Sequence, residues 1–239
     1  MANFRTSAKD FTHIAVPYFR GDDRWAGRVL LITVIGLQLF QVWLNVKFNT
    51  WYNTRHLPQL TAIPGILDAA RYVAVKGGPK YLAVYELESA EVIRSDAFVD
   101  RPRTASDQRM SPQVIGKNFT RILGEQIFPD GLENADRGMA AVLQIGRMSV
   151  PEAVDAAWND WYNGEYIPGY RTVPGVIYAR RYRVLEGEVR YTTVYEFESE
   201  AVPESAAWDH QREHSSPRSG AMRDTMTMAI GSPGVYRRI

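Results

Sequence analysis

His56 is the residue of this sequence best suited to move a proton. It stands in FNTWYNTRHLP, residues 48–58. On a helix, Asn49, Asn53 and His56 share one narrow stripe, with Tyr52 beside it. A neutral imidazole takes or gives a proton near neutral pH, which suits general acid/base catalysis. The plainer alternative is a helix-end histidine bonded to backbone, with Pro58 ending the helix and the asparagines satisfying its end groups. Tyrosines supply a second candidate group. Alternation along a predicted hairpin puts Tyr72, Tyr81 and Tyr85 on one face, and Tyr182, Tyr191 and Tyr195 on one face of a second hairpin. Such clusters either grip a flat or apolar ligand or pack half-exposed under helices. Arg71 with Glu86, and Arg181 with Glu196, fall on the opposite faces and read as cross-strand ion pairs. The candidate substrate-binding set is therefore Asn49, Tyr52, Asn53, Tyr72, Tyr81, Tyr85, Tyr166 and Tyr182, with His56 catalytic. His210 and His214, four apart in HQREH, have metal-ligand spacing. With no glutamate directly after the first histidine and no third ligand evident, a solvated helix face is the better reading, and no metal site is expected.

The elements that must position these residues occur twice. Shifted by 110 positions, FNTWYNTRHLP falls on WNDWYNGEYIP, IPG at Ile63 on VPG at Val173, and YLAVYELES on YTTVYEFES. No gap is needed over roughly 48 positions, of which about 19 are identical, so the pattern is that of a duplicated unit. In the second copy, Ala140–Met148 reads as a strand. Ser149-Val150-Pro151-Glu152 starts a helix that runs to Pro168. Val176–Leu185 and Tyr191–Phe197 form a hairpin, Ala201–His214 is helical, and Met222–Ile230 is a last strand. The order β-α-β-β-α-β is the ferredoxin-like unit, and two units side by side would build a barrel from two sheets. The first copy departs at its start. Gly36 stands where Gly146 does, but the helix-start residues have no counterpart. Either Arg28–Ile35 is a strand followed by a helix, or Asp23–His56 is one long helix; unbroken hydrophobic patterning favours the helix.

The 239 residues are 45% hydrophobic and 23% charged, with a net charge of +1. That balance supports a real core and gives no electrostatic case for nucleic acid. No cysteine is present, which excludes disulfides, thiolate catalysis and zinc–thiolate sites. Val29–Phe48 is an apolar run of bilayer-spanning length with one charge, Lys47. Arg20, Arg24 and Arg28 before it would place the amino terminus in the cytoplasm if it spans. The expected localisation is cytoplasmic, or inner-membrane-associated through this run.

From FNTWYNTRHLP onward, the motifs WYNTRHLP, IPG, Gly77-Gly78-Pro79, YELES and NFTRILGEQIFP resemble the EthD-like branch of the dimeric α/β-barrel superfamily. That resemblance implies an α+β fold of tandem ferredoxin-like repeats closed as a dimeric-type α/β barrel. It also implies either a cofactor-independent isomerase, cyclase or lyase, or a non-catalytic ligand-binding barrel. Some members bind haem. Residues 13–53 resemble something else, the first membrane segment of half-transporters that import peptide antibiotics and cobalamin, which suggests a chimeric chain.

Three segments follow: residues 1–47 with the apolar helix, 48–132 as the first repeat, its opening strand in question, and 133–239 as the second. The leading expectation is a cofactor-independent enzyme using His56 on a small aromatic or polyketide-like compound, with a homodimer as the assembly considered. A non-catalytic barrel tethered to a membrane by the amino-terminal helix, and a haem-binding barrel, stand as alternatives.

Overall fold

A computed structural model describes residues 45–111, 120–130 and 138–239. The Val29–Phe48 run, the strand-or-helix question at Arg28–Ile35 and the transporter-like segment therefore lie largely outside the described residues. Among the described residues, no helix is long and apolar enough to cross a membrane. The chain divides into residues 1–54 and residues 55–239. In the first unit, residues 45–51 are helical. There, the Tyr52 ring meets Phe48 edge-on at 5.5 Å and Trp51 at 5.6 Å.

The second unit is α+β, built on a curled antiparallel sheet. Its strands are β1 (Ile66–Lys76), β2 (Tyr81–Leu87), β3 (Leu123–Phe128), β4 (Val142–Ser149), β5 (Val176–Glu186), β6 (Tyr191–Phe197), β7 (Thr227–Met228) and β8 (Gly234–Arg238). Among the described residues they form one eight-stranded sheet in the order β2-β1-β8-β4-β6-β5-β3, with β7 on β4. The two sheets expected from the sequence are thus a single one. The reason is strand exchange: β8 pairs with β1 on one side and β4 on the other, while β3 pairs with β5. The predicted strand at Met222–Ile230 survives only as β7, Thr227–Met228, on β4. Pro217 opens a helix to Asp224, and the Ser216 hydroxyl caps it by accepting from Ser219 N–H. The last strand is β8 instead.

Elements of the two halves of the sequence recur at the same spacing. A π-helical turn at Tyr52–His56 has a counterpart at Tyr162–Tyr166, and the helices Leu57–Thr61 and Ile167–Arg171 follow them. Neither helix stops at its proline, as the sequence reading expected. Pro58 and Pro168 lack the N–H that would bond four residues back, and the backbone absorbs the loss by widening into a π turn.

Strand register moves the tyrosines. Tyr72 pairs with Leu82 and Arg71 with Ala83; Tyr182 pairs with Thr192 and Arg181 with Thr193. Directly paired residues share a face. Tyr72 and Tyr182 therefore lie on one face with Glu86 and Glu196, while Arg71, Tyr81 and Tyr85, like Arg181, Tyr191 and Tyr195, lie on the other. The predicted tyrosine trios and same-face Arg–Glu pairs are both overturned. A one-residue difference in register sends every side chain to the other face.

In the second half of the sequence, Trp158, Trp161, Ile167, Phe197 and Ala179 are fully buried within one large cluster. In the first half, a cluster among the described residues joins Leu60, Ile63, Ile66 and Val92, with Tyr85, Leu87 and Phe98 partly buried against it.

Candidate functional site

Three polar groups in the second unit could do chemistry. The first surrounds His56, which is half-buried at the end of the π turn. Burial lowers its pKa to about 4, with the Arg101, Arg103 and Arg71 guanidiniums adding to the effect and Asp107 opposing it. The imidazole is thus neutral at neutral pH. Arg101 is itself half-buried. Its guanidinium lies 4.2 Å from the centre of the Phe98 ring and donates to the Phe98 carbonyl. Burial, with the like charge of Arg103, lowers the Arg101 pKa as well. Asp107 is fixed locally: it closes a capping box with Thr104 and pairs with Arg55 Nε at 3.0 Å.

The second group lies on the opposite face of the sheet. Arg180 bridges Glu86 and Glu196, donating to Glu196 Oε1 at 2.6 Å. Glu196 Oε2 accepts from Ala140 N–H at 2.9 Å. Burial opposes the Arg180 charge, but Tyr182 and the two carboxylates outweigh it and hold its pKa above the ordinary value. Tyr72, fully buried, donates to the Ala140 carbonyl at 2.9 Å. Burial raises the pKa of both Tyr72 and Tyr182, so both are neutral phenols. Glu86 and Glu196 are thus paired after all, but by Arg180 rather than by Arg71 and Arg181.

The third group is built on Arg181, which is fully buried. It donates to Asn163 Oδ1 at 2.5 Å and Asn159 Oδ1 at 2.8 Å. The Trp158, Tyr162 and Tyr191 ring centres lie 4.7, 4.2 and 5.3 Å from it. Asn159 and the Tyr191 hydroxyl in turn bond Asp155. Around this network an aromatic mass fills the space between helices and sheet: Tyr166 meets Tyr170 at 4.8 Å, and Tyr170 meets Trp208 at 4.3 Å.

Within the second unit, the candidate residues lie on both faces of the sheet. His56, Tyr81 and Tyr85 belong to the first half, Tyr85 on the helix-covered face. Tyr72 and Tyr182 are on the opposite face, and Tyr166 belongs to the aromatic mass of the second half, its pKa raised by burial. In the first unit, Tyr52 is buried, Asn49 half-buried and Asn53 exposed. His210 and His214 are exposed and stack on each other at 4.1 Å. Among the described residues, no three His, Asp or Glu side chains gather as metal ligands. Arg101, Arg103 and Arg180 were missed; only the charges of the Arg-Pro-Arg run at residues 101–103 could have signalled the first two.

No protein-family model matches the sequence, and no curated protein matches it. Solved structures do match. One, named as a candidate chlorite dismutase, TA0507, superposes with a TM-score of 0.50 at 13% identity over 82% of each chain. The fold is that of a dimeric α/β barrel. A second, named as a candidate monooxygenase from Lactobacillus acidophilus NCFM, gives a TM-score of 0.41 at 11% identity over 80% of this chain and 88% of that one. At 13% identity the first likeness concerns the fold alone.

Proposed function

We propose that this chain is a cofactor-independent small-molecule enzyme, an EthD-like duplicated barrel in which His56 acts as the general base on a small aromatic or polyketide-like compound. The observation that carries the reading is a neutral, half-buried imidazole set among the guanidiniums of Arg71, Arg101 and Arg103. An unprotonated base beside fixed positive charge suits removal of a proton from an acidic C–H or O–H. The proton passes to the imidazole, the electron pair stays on the substrate as an enolate or phenolate facing Arg101, and the proton returns at another atom. The step is an isomerisation or cyclisation with no net change in oxidation state. A pKa of about 4 makes a weak base of the free protein, but an anionic substrate would offset the arginines and bring the imidazole back toward neutrality.

The duplication supports one site rather than two, because Tyr166 stands where His56 does and cannot serve as a base near neutral pH. No step runs through haem: His210 and His214 are stacked on the surface, and the guanidiniums around His56 oppose a bound iron cation. In this reading residues 1–47 are an addition to the barrel, while Asn49, Tyr52 and Asn53 belong to the first repeat and to its substrate-binding set.

The test is proton exchange. Small aromatic ketones, lactones and phenols are incubated with the protein in D2O, and deuterium uptake is followed by NMR. Uptake catalysed by the native chain should vanish in His56→Ala; uptake that survives the substitution would show that another group is the base.

A further inference from the structure

The sheet ends on two strands whose counterparts hold a third strand between them. β4 lies between β6 and β8 and pairs with both. One hundred and ten residues before β6 and β8 stand β2 and β3. Among the described residues, no strand lies beside the outer edge of either, and they are the two ends of the sheet. The curl of the sheet brings these ends toward each other. Arg180 of β5 reaches Glu86 of β2, and Arg94, shortly past β2, donates at 2.9 Å to Glu186, the register partner of Leu123 on β3. Exposure agrees. β6, with β4 beside it, is buried at six of its seven residues, whereas every residue of β2 is only half-buried.

The ladder shows which backbone groups face outward. Ala74 N–H donates to the Lys80 carbonyl, and bonded pairs alternate along an antiparallel ladder. Leu82, Val84 and Glu86 therefore bond β1, while the Ala83 N–H and carbonyl point away from it. On β5 the alternation is set by Val184 N–H on the Arg190 carbonyl, and it turns the Gly124 N–H and carbonyl away from β5. In the second half the residue matching Ala83 is Thr193, which pairs with Gly146 of β4. An edge of this kind is a template for a further strand.

We propose that β2 and β3 take up an extended segment of another polypeptide, which pairs with both edges as β4 pairs with β6 and β8. The edges define its chemistry. Their charges are already matched, Glu86 by Arg180 and Glu125 by Arg183, so the segment needs no charge of its own. β4 sets Leu143 and Ile145 opposite Glu196 and Val194. The same places, opposite Glu86 and Val84, take apolar side chains. Backbone bonds supply the affinity, and the alternate side chains supply the specificity. The partner is thus a neutral strand of about six residues, apolar at alternate positions. The proposal is independent of the role given to His56.

The probe is the peptide AAVLQIG, residues 140–146 of this chain, capped at both ends and dye-labelled. It is titrated into the full chain by fluorescence anisotropy, and amide hydrogen exchange of the chain is followed by NMR. The peptide should bind. Ile145→Pro within the peptide removes a ladder N–H and should weaken it at least about tenfold. Ala83→Pro in the chain removes the outward N–H and spares the β1 ladder, as proline at an edge can, and should weaken the native peptide to a similar extent. If that variant does not fold, the proline peptide carries the test alone. The Ala83 and Gly124 amides should exchange fast in the free chain and slowly with peptide bound, while the Thr193 amide is slow in both. Absence of binding, or equal binding of the two peptides, would overturn the proposal. So would slow exchange of Ala83 and Gly124 in the free chain, because the chain's own residues or a second copy would then already fill the place.

Discussion

Arg181 is a buried charge bonded to neutral partners, with Asp155 acting on it only from beyond bonding distance. Among the described residues no carboxylate lies within ion-pair distance of it, and burial lowers its pKa. Desolvating such an ion costs several kcal/mol. Against that stand two bonds to asparagine oxygens, each worth about 1.5–3 kcal/mol with a charged donor. Three ring faces add about 0.5–2 kcal/mol apiece. The terms nearly cancel, so the guanidinium is held in place rather than strongly stabilising. Arg181→Ala should nevertheless cost about 4 kcal/mol, because it opens a cavity and strands Asn159 and Asn163 Oδ1. Arg181→Met fills the volume and should cost about 2 kcal/mol, mostly for the stranded oxygens. Arg181→Met/Asn163→Ala should be no worse than the single change, since one of those oxygens is gone. The adjacent Arg183 pairs with Glu125 on the surface, and Arg183→Met should cost less than about 1 kcal/mol. Urea unfolding at neutral pH, with unchanged m-values, measures all four. The reasoning fails if Arg181→Met costs no more than Arg183→Met, or if adding Asn163→Ala makes the loss fully additive.

Three further outcomes are expected. Because the folded pKa of His56 is about 4, below the ordinary 6.5, the unfolded chain binds the extra proton first. The contribution of His56 to stability is therefore complete above pH 6.5 and lost as pH falls toward 4; unfolding midpoints across that window should flatten in His56→Gln, and NMR of the imidazole should titrate near 4. Glu196→Ala, which deprives Arg180 of one partner and Ala140 N–H of its acceptor, should cost about 3 kcal/mol, and Glu196→Gln clearly less, by thermal unfolding. Gly175 has φ +86°, and a Cβ there would sit 2.5 Å from Val202 Cγ2. Gly175→Ala should lose at least about 1 kcal/mol, and adding Val202→Ala should recover only the steric share, because the backbone strain remains.

The sequence was most legible where periodicity and punctuation agree. The hairpin at Tyr191–Phe197 and the strand from Val176 emerge close to their predicted ends, because β-branched and aromatic residues there are bounded by Gly175 and Gly187. It was least legible where distance along the chain decides. Nothing in GVYRR announces that β8 inserts between β1 and β4, since pairing across such separations leaves no local mark. Face assignments failed for a related reason. Arg181 and Glu196 belong to different strands, and their relation depends on register, which the bulge between Val176 and Tyr178 shifts. His56 was visible as a base by residue type alone, but of the arginines that act on it Arg71 comes from β1 and Arg101 and Arg103 from a distant loop, and none could be placed beside it.

Strand exchange also has a consequence for how the chain can be handled. The last strand of each half is hydrogen-bonded into the other, β3 against β5 and β8 against β1. A polypeptide cut between β3 and β4 would yield two fragments, each lacking a strand that only the other can supply. Neither should be a stable unit alone, yet mixed together they should reassemble as complementing parts, since the missing strand of each is an edge the other presents. Neither half is thus a module that can be added or removed singly.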